Sequence, residues 1–214
     1  MLGQFYQQGS LFFPSSSQSG ADNRLRIKKN EREAVRWYKR AALGKDIPSM
    51  GLLGKCHEHG IGVDIDLEKA LAYYTKAAEN QSPYVYYATI DQALLLQRMG
   101  RHVEAFRLYS HVLAHAHPMD DKQPIQTAKL SVARYHLSNK IEGIPYNPAL
   151  ALQLLTELAE TTNEPHAHYW LGSCYDEGIP GVCEIDRQKA FHHFMVAAES
   201  DDIDAIFLVI LFVI

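Results

Sequence analysis

The chain has 214 residues, 47% hydrophobic and 21% charged, a composition ordinary for a globular protein with room for a sizeable core. Its formal charge of −4, from 21 basic and 25 acidic residues, excludes a global field that would gather nucleic acid or an anionic membrane. Three cysteines, Cys56, Cys174 and Cys183, without CxxC spacing, argue against a disulfide framework or a zinc ribbon and point to a reducing compartment.

The first nine residues lack the basic start and apolar run of a secretory signal, which favours the cytoplasm. They already contain a phrase, Leu2-Gly3-x-x-Tyr6-x-x-Gly9, that returns twice, as Leu53-Gly54-x-x-His57-x-x-Gly60 and Leu171-Gly172-x-x-Tyr175-x-x-Gly178. Residues 10–23 are serine-rich, carry Pro14 and Gly20, show no helical period, and read as a surface insertion. Between residues 24 and 40, Arg24, Arg26, Lys28, Lys29, Arg32, Arg36, Lys39 and Arg40 face only Glu31 and Glu33. This basic stretch reads first as a solvated helix face, and otherwise as a dock for an acidic partner or lipid headgroups.

A second phrase follows each copy of the first: Ala34-x-x-Trp37-Tyr38-x-x-Ala41-Ala42, Ala70-x-x-Tyr73-Tyr74-x-x-Ala77-Ala78 and Ala190-x-x-His193-Phe194-x-x-Ala197-Ala198. Weaker copies stand at Ala105 and Ala151, so the leading alanines 34, 70, 105, 151 and 190 mark a period in the thirties to forties, that of a helix hairpin. In the first helix of each pair, Leu53 and His57, or Leu171 and Tyr175, share a face four residues apart. Gly54 and Gly172 are expected to make room for a neighbouring backbone, and Gly60 and Gly178 to end the helix in a left-handed conformation. Asp66 and Asp186 are placed to cap the second helices, whose Ala-Tyr-Tyr-Ala or Ala-His-Phe-Ala stripes suit close helix packing.

The third unit, around residues 92–106, reads as a plain tetratricopeptide repeat, and the fourth, around Ser131-Val-Ala-Arg-Tyr135, lacks the Leu-Gly pair. Residues 117–124, with Pro118 and Pro124, are expected to form the connector between them. The last ten residues are apolar, about half of what a membrane-spanning helix needs. The expected organisation is a partial first repeat over 1–47, about four helix pairs over 48–204, and an apolar tail over 205–214 that resembles a cut-off further repeat.

The phrases at 51–79 and 165–200 resemble the Sel-like repeat family, relatives of the tetratricopeptide repeats. The resemblance implies an all-α solenoid of stacked antiparallel helix pairs that works as a scaffold or regulatory adaptor for a protein or peptide partner, not as an enzyme. Proteins similar in repeat type include fungal activators of chitin synthase and regulators of septation and the cell cycle.

Other chemistry is thinly represented. His111-x-x-x-His115 places two imidazoles on one helix face, the basis of an alternative reading as a metal-dependent hydrolase, but no third ligand is identifiable. A membrane-tethered regulator is a further alternative that depends on the apolar tail. Cys56 and Cys174 occupy one repeat position, as small buried residues would, and no base for nucleophilic catalysis is assignable. No catalytic, metal or cofactor residue is therefore assigned. Tyr84, Tyr86 and Tyr87 read as core filling before partner anchors. In related arrays the first helix of each pair lines the inner face. Residues there outside the packing phrase are the candidate partner-binding set: Lys55, Glu58, His59, Tyr87, Asp91, Arg134, His168, Ser173 and Asp176.

Overall fold

A computed structural model of the chain describes residues 30–79, 84–117, 120–138, 140–200 and 203–213. The first Leu-Gly phrase, the serine-rich stretch, and Arg24, Arg26, Lys28 and Lys29 of the basic run lie outside these. Ten α-helices and no strands make up the described residues, apart from a single antiparallel bridge between Ile179 and Cys183. The chain divides into two compact units, Met1–Leu96 and Gln97–Ile214.

The first unit contains α1 (Glu31–Leu43), α2 (Ile47–His59), α3 (Leu67–Ala78) and most of α4 (Val85–Arg98). Three of these begin at a side chain that accepts a hydrogen bond from a backbone N–H three residues on. Asn30 accepts from Glu33 at 3.2 Å, Asp46 from Ser49 at 2.9 Å and Asp66 from Lys69 at 2.9 Å. Each cap satisfies an amide that the helix itself leaves unpaired. Ala34, Val35, Tyr38, Leu53 and Cys56 form the core of the α1–α2 hairpin.

Helix α2 ends at Gly60, whose φ of 72° and ψ of 28° let the Ile61 amide turn back to the Cys56 carbonyl at 2.9 Å. The loop then returns, and the Asp66 amide donates to the His57 carbonyl at 2.8 Å. The space at Gly54 differs from expectation: an aromatic ring, not a backbone, fills it. A Cβ on Gly54 would stand 2.4 Å from Cε1 of Tyr74, so α2 and α3 meet by setting a ring of one against the bare backbone of the other. Backbone approach occurs at Gly62 instead, where a Cβ would stand 2.4 Å from the carbonyl oxygen of Glu31.

The second unit contains the end of α4, α5 (His102–His115), α6 (Lys122–Leu137), α7 (Pro148–Thr162), α8 (Pro165–Glu177), α9 (Arg187–Ala198) and α10 (Ile203–Val213). Here the ring–glycine contact returns at Gly172, where a Cβ would lie 2.6 Å from Cε1 of Phe194. Asp186 caps α9 on the Lys189 amide at 3.0 Å, and its own amide donates to the Tyr175 carbonyl at 2.8 Å, repeating the Asp66 loop. Gly178 departs from its counterpart Gly60: φ is 68° but ψ is 153°, a combination open essentially to glycine. The Ile179 amide consequently bonds to the Cys183 carbonyl at 2.8 Å rather than to the helix end, which forms the bridged loop through Pro180 and Gly181.

The fourth repeat keeps the architecture with different residues. Asn147 caps α7 on the Leu150 amide at 3.2 Å, and its amide donates to the His136 carbonyl at 3.1 Å. His136 thus stands where the sister units have His57 and Tyr175, which puts Ala133 at the glycine position and Leu155 at the ring position. Both are fully buried in one cluster with Ala151, Leu158, Ala167 and Leu171. A larger residue on one helix is matched by a smaller one on the other, so interior volume is conserved. Pro124, expected in the connector, lies buried in the first turn of α6, where its missing N–H removes no helical bond.

Candidate partner-binding surfaces

The candidate residues fall into separate groups. On α2 and α4 of the first unit, Lys55 Nζ stands 3.2 Å from Asp91 Oδ2, so two of them already pair with each other. Burial pushes the Asp91 carboxyl up, against the opposing pull of Lys55. Glu58 accepts from the Tyr74 hydroxyl at 2.6 Å, which ties its carboxylate to the packing ring, and its second neighbour is His59 at 3.9 Å. His59 is exposed. Tyr87 is 39% exposed and Tyr84 is exposed beside it at the start of α4, so these two tyrosines are not core filling.

On α8, Ser173 and Asp176 are half-buried, and the Ser173 hydroxyl donates to the Tyr169 carbonyl at 3.2 Å. His168 does not face outward as expected. It is 7% exposed and meets His193 of α9, their Nδ1 atoms 3.0 Å apart. Burial lowers the pKa of both rings, that of His193 to about 4 with help from His168, His192 and Lys189. His193 also stacks on Tyr175 at 5.8 Å, as Tyr73 stacks on His57 at 5.7 Å in the first unit, so the two members of the pair have exchanged helices between units.

Arg134 is an exposed candidate that lines a cleft. It lies on α6 at a cleft of about 240 Å³ in the second unit, with Gln97, His102, Ser131, Tyr135 and Trp170 around it. Its guanidinium sits 5.4 Å from the centre of the Trp170 ring, and among the described residues no carboxylate pairs with it. The walls are pinned from behind: the Tyr109 hydroxyl donates to Gln97 Oε1 at 3.4 Å, and His102 Nδ1 meets the Tyr135 hydroxyl at 3.2 Å. Burial pushes Tyr109 up to about 12. Sequence reasoning singled out Arg134 by its register but missed Trp170, Gln97 and His102. These come from three other elements, and no spacing along one helix announces them.

The remaining cues are accounted for locally. His111 and His115 stack at 4.2 Å, with His115 Nδ1 on the His111 carbonyl at 2.9 Å. No group of three or more metal-ligating side chains occurs among the described residues. Cys56 and Cys174 are buried thiols, pushed by burial up to about 11 and about 12. None of the described helices is long and apolar enough to cross a membrane.

Paired helices with a ring-on-glycine contact, a cap and a returning loop, repeated along the chain, define a helical-repeat protein. The Sel1 repeat profile matches residues 22–46, 47–82, 129–160 and 165–202, more than half of the sequence, and the chain belongs to the Sel1 repeat family. Proteins of this family typically serve as scaffolds for protein–protein interaction. A sel1-like repeat-containing protein of Acanthamoeba polyphaga mimivirus is 34% identical over 59 residues, 28% of this chain and 11% of that protein. In fold the chain is similar to a Sel1 repeat protein from Oxalobacter formigenes (TM-score 0.68, 22% identity, 95% of this chain and 72% of that one). It is also similar to c5321, a protective antigen of uropathogenic Escherichia coli with the same repeat fold (TM-score 0.59, 17% identity, 97% and 46%). The chain thus spans less than two thirds of the viral relative and of the antigen.

Proposed function

We infer that this chain is a regulatory adaptor that holds a polar, extended segment of a partner protein, with Arg134 and Trp170 of the second unit as the principal contact. The observation that carries the reading is an exposed arginine whose guanidinium lies over an indole in the lining of a cleft, without an acidic partner among the described residues. Arginine and tryptophan are the residue types that most often dominate binding energy at interfaces. Lys55 is a weaker choice than the sequence implied, because Asp91 already engages it. The cytoplasm is the setting that fits three free cysteines, two of them buried. A place in cell-wall synthesis, septation or cell-cycle control rests on the residue phrases alone and is the narrower part of the proposal.

The test is capture from the native cell with mass spectrometry, comparing the wild-type chain with Arg134→Glu and with a chain neutralised at Arg32, Arg36, Lys39 and Arg40. Loss of the captured partner with Arg134→Glu at both low and high salt is the expected result. If neutralising the basic stretch abolishes capture and Arg134→Glu leaves it intact, the binding surface lies on α1 and the assignment to Arg134 fails.

A further inference from the structure

We propose that the cleft beside Arg134 recognises a carboxylate, that of a glutamate or aspartate side chain in an extended peptide. The inference rests on the adaptor reading and adds to it the chemistry of what is bound. The lining supplies hydrogen-bond donors and a single fixed charge, and contains no aspartate or glutamate. Arg134 is the fixed cation, steadied on the Trp170 face, so its planar fork is held ready for a carboxylate with little further ordering.

Two of the neighbouring polar groups keep a donor in hand through their own bonds. The oxygen of the Gln97 amide is occupied by the Tyr109 hydroxyl, which leaves its NH₂ as a donor. Ser138 Oγ accepts from the Lys140 amide at 3.4 Å, so its proton remains to be given. The lining thus offers an anion a guanidinium, an amide NH₂ and a hydroxyl, and it holds no carboxylate.

Size and charge narrow the occupant. At about 240 Å³ the cleft falls below the roughly 300–1,000 Å³ of sites that enclose whole small molecules, and it suits one or two side chains of a longer chain. A phosphate carries about two negative charges and is usually met by a cluster of arginines, whereas the cleft has one. A carboxylate, with one negative charge, matches that single cation.

The experiment uses the full chain and fluorescein-labelled heptapeptides of glycine, alanine and serine with one central tyrosine and, beside it, glutamate, glutamine, lysine or phosphoserine. Fluorescence polarisation measures each affinity for the wild type, Arg134→Gln and Arg134→Lys, and thermal melts followed by circular dichroism confirm that the variants fold. A charge-assisted hydrogen bond predicts about tenfold tighter binding of the glutamate peptide than of its glutamine twin. Arg134→Gln should erase that preference, and Arg134→Lys should keep part of it. Equal binding of the glutamate and glutamine peptides by the wild type overturns the proposal, as does a preference that survives Arg134→Gln. Tighter binding of phosphoserine than of glutamate overturns the choice of carboxylate, and failure of every peptide to bind overturns the cleft as a reader of peptides. The adaptor reading fails separately, when the wild-type chain captures nothing from the native cell.

Discussion

At positions 54 and 172 the missing side chain is the space into which a ring of the following helix is pressed. A leucine at 172 would have to displace Phe194, whose nearest ring atoms would lie no more than 3.0 Å from a Cβ at that position, and overpacking of this kind costs about 1–3 kcal/mol. Urea denaturation of Gly172→Leu should show that loss, and an unchanged midpoint would contradict the contact. The fourth repeat supplies the compensated version, since Gly172→Ala combined with Phe194→Leu recreates the pairing of Ala133 with Leu155. The double variant should recover part of the stability lost by Gly172→Ala alone. This trade also hides the fourth repeat in the sequence. The phrase is legible where the residues themselves recur, but in the Ala133–Leu155 pair only the combined volume recurs, and the match emerges once both helices are seen together. The burial of His168 escapes the sequence for a related reason: register along α8 gives its face, but only the packing of α9 reveals that His193 meets it.

At the scale of single helices, the beginnings were more legible than the ends. Aspartate or asparagine three residues before an amide is a local signal, and Asp66, Asp186 and Asn147 all use it. Asn147 has a double role, since its side chain caps α7 and its amide closes the loop onto His136. Asn147→Ala should destabilise the second unit by about 1 kcal/mol, the usual worth of such a cap. Asn147→Asp should not, and a thermal melt of the two variants distinguishes a lost cap from a general effect of substitution. Helix ends depend on what the following loop does. Gly60 and Gly178 occupy the same repeat position, yet the Pro180–Gly181 excursion gives the second a different ψ. Pro124 shows the opposite error: a residue hostile to the middle of a helix is harmless in its first turn.

For the molecule as a whole, period and composition sufficed to give the helical class, and circular dichroism should show a spectrum dominated by helix; a sheet-like spectrum would contradict the fold. The candidate surface was legible only in part, because a cleft assembled from Gln97, His102, Arg134 and Trp170 belongs to no single repeat phrase. The histidine pair between α8 and α9 carries a consequence for the thermodynamics of unfolding. His193 has its pKa lowered to about 4, whereas a histidine in the unfolded chain titrates near about 6.5. Between these values the unfolded chain binds more protons than the folded one, so stability is full above the upper value and declines as the pH falls toward the lower. His168 and His57, also shifted downward by burial, act in the same direction. Unfolding in that window is therefore a proton-consuming reaction, and the protons come from the buffer. Scanning calorimetry at one pH inside the window, in acetate and in a histidine-like amine buffer, should give different apparent heats, because the two buffers release a proton at different enthalpic cost. Near neutral pH the difference should shrink, and replacing His193 with tyrosine should reduce it within the window.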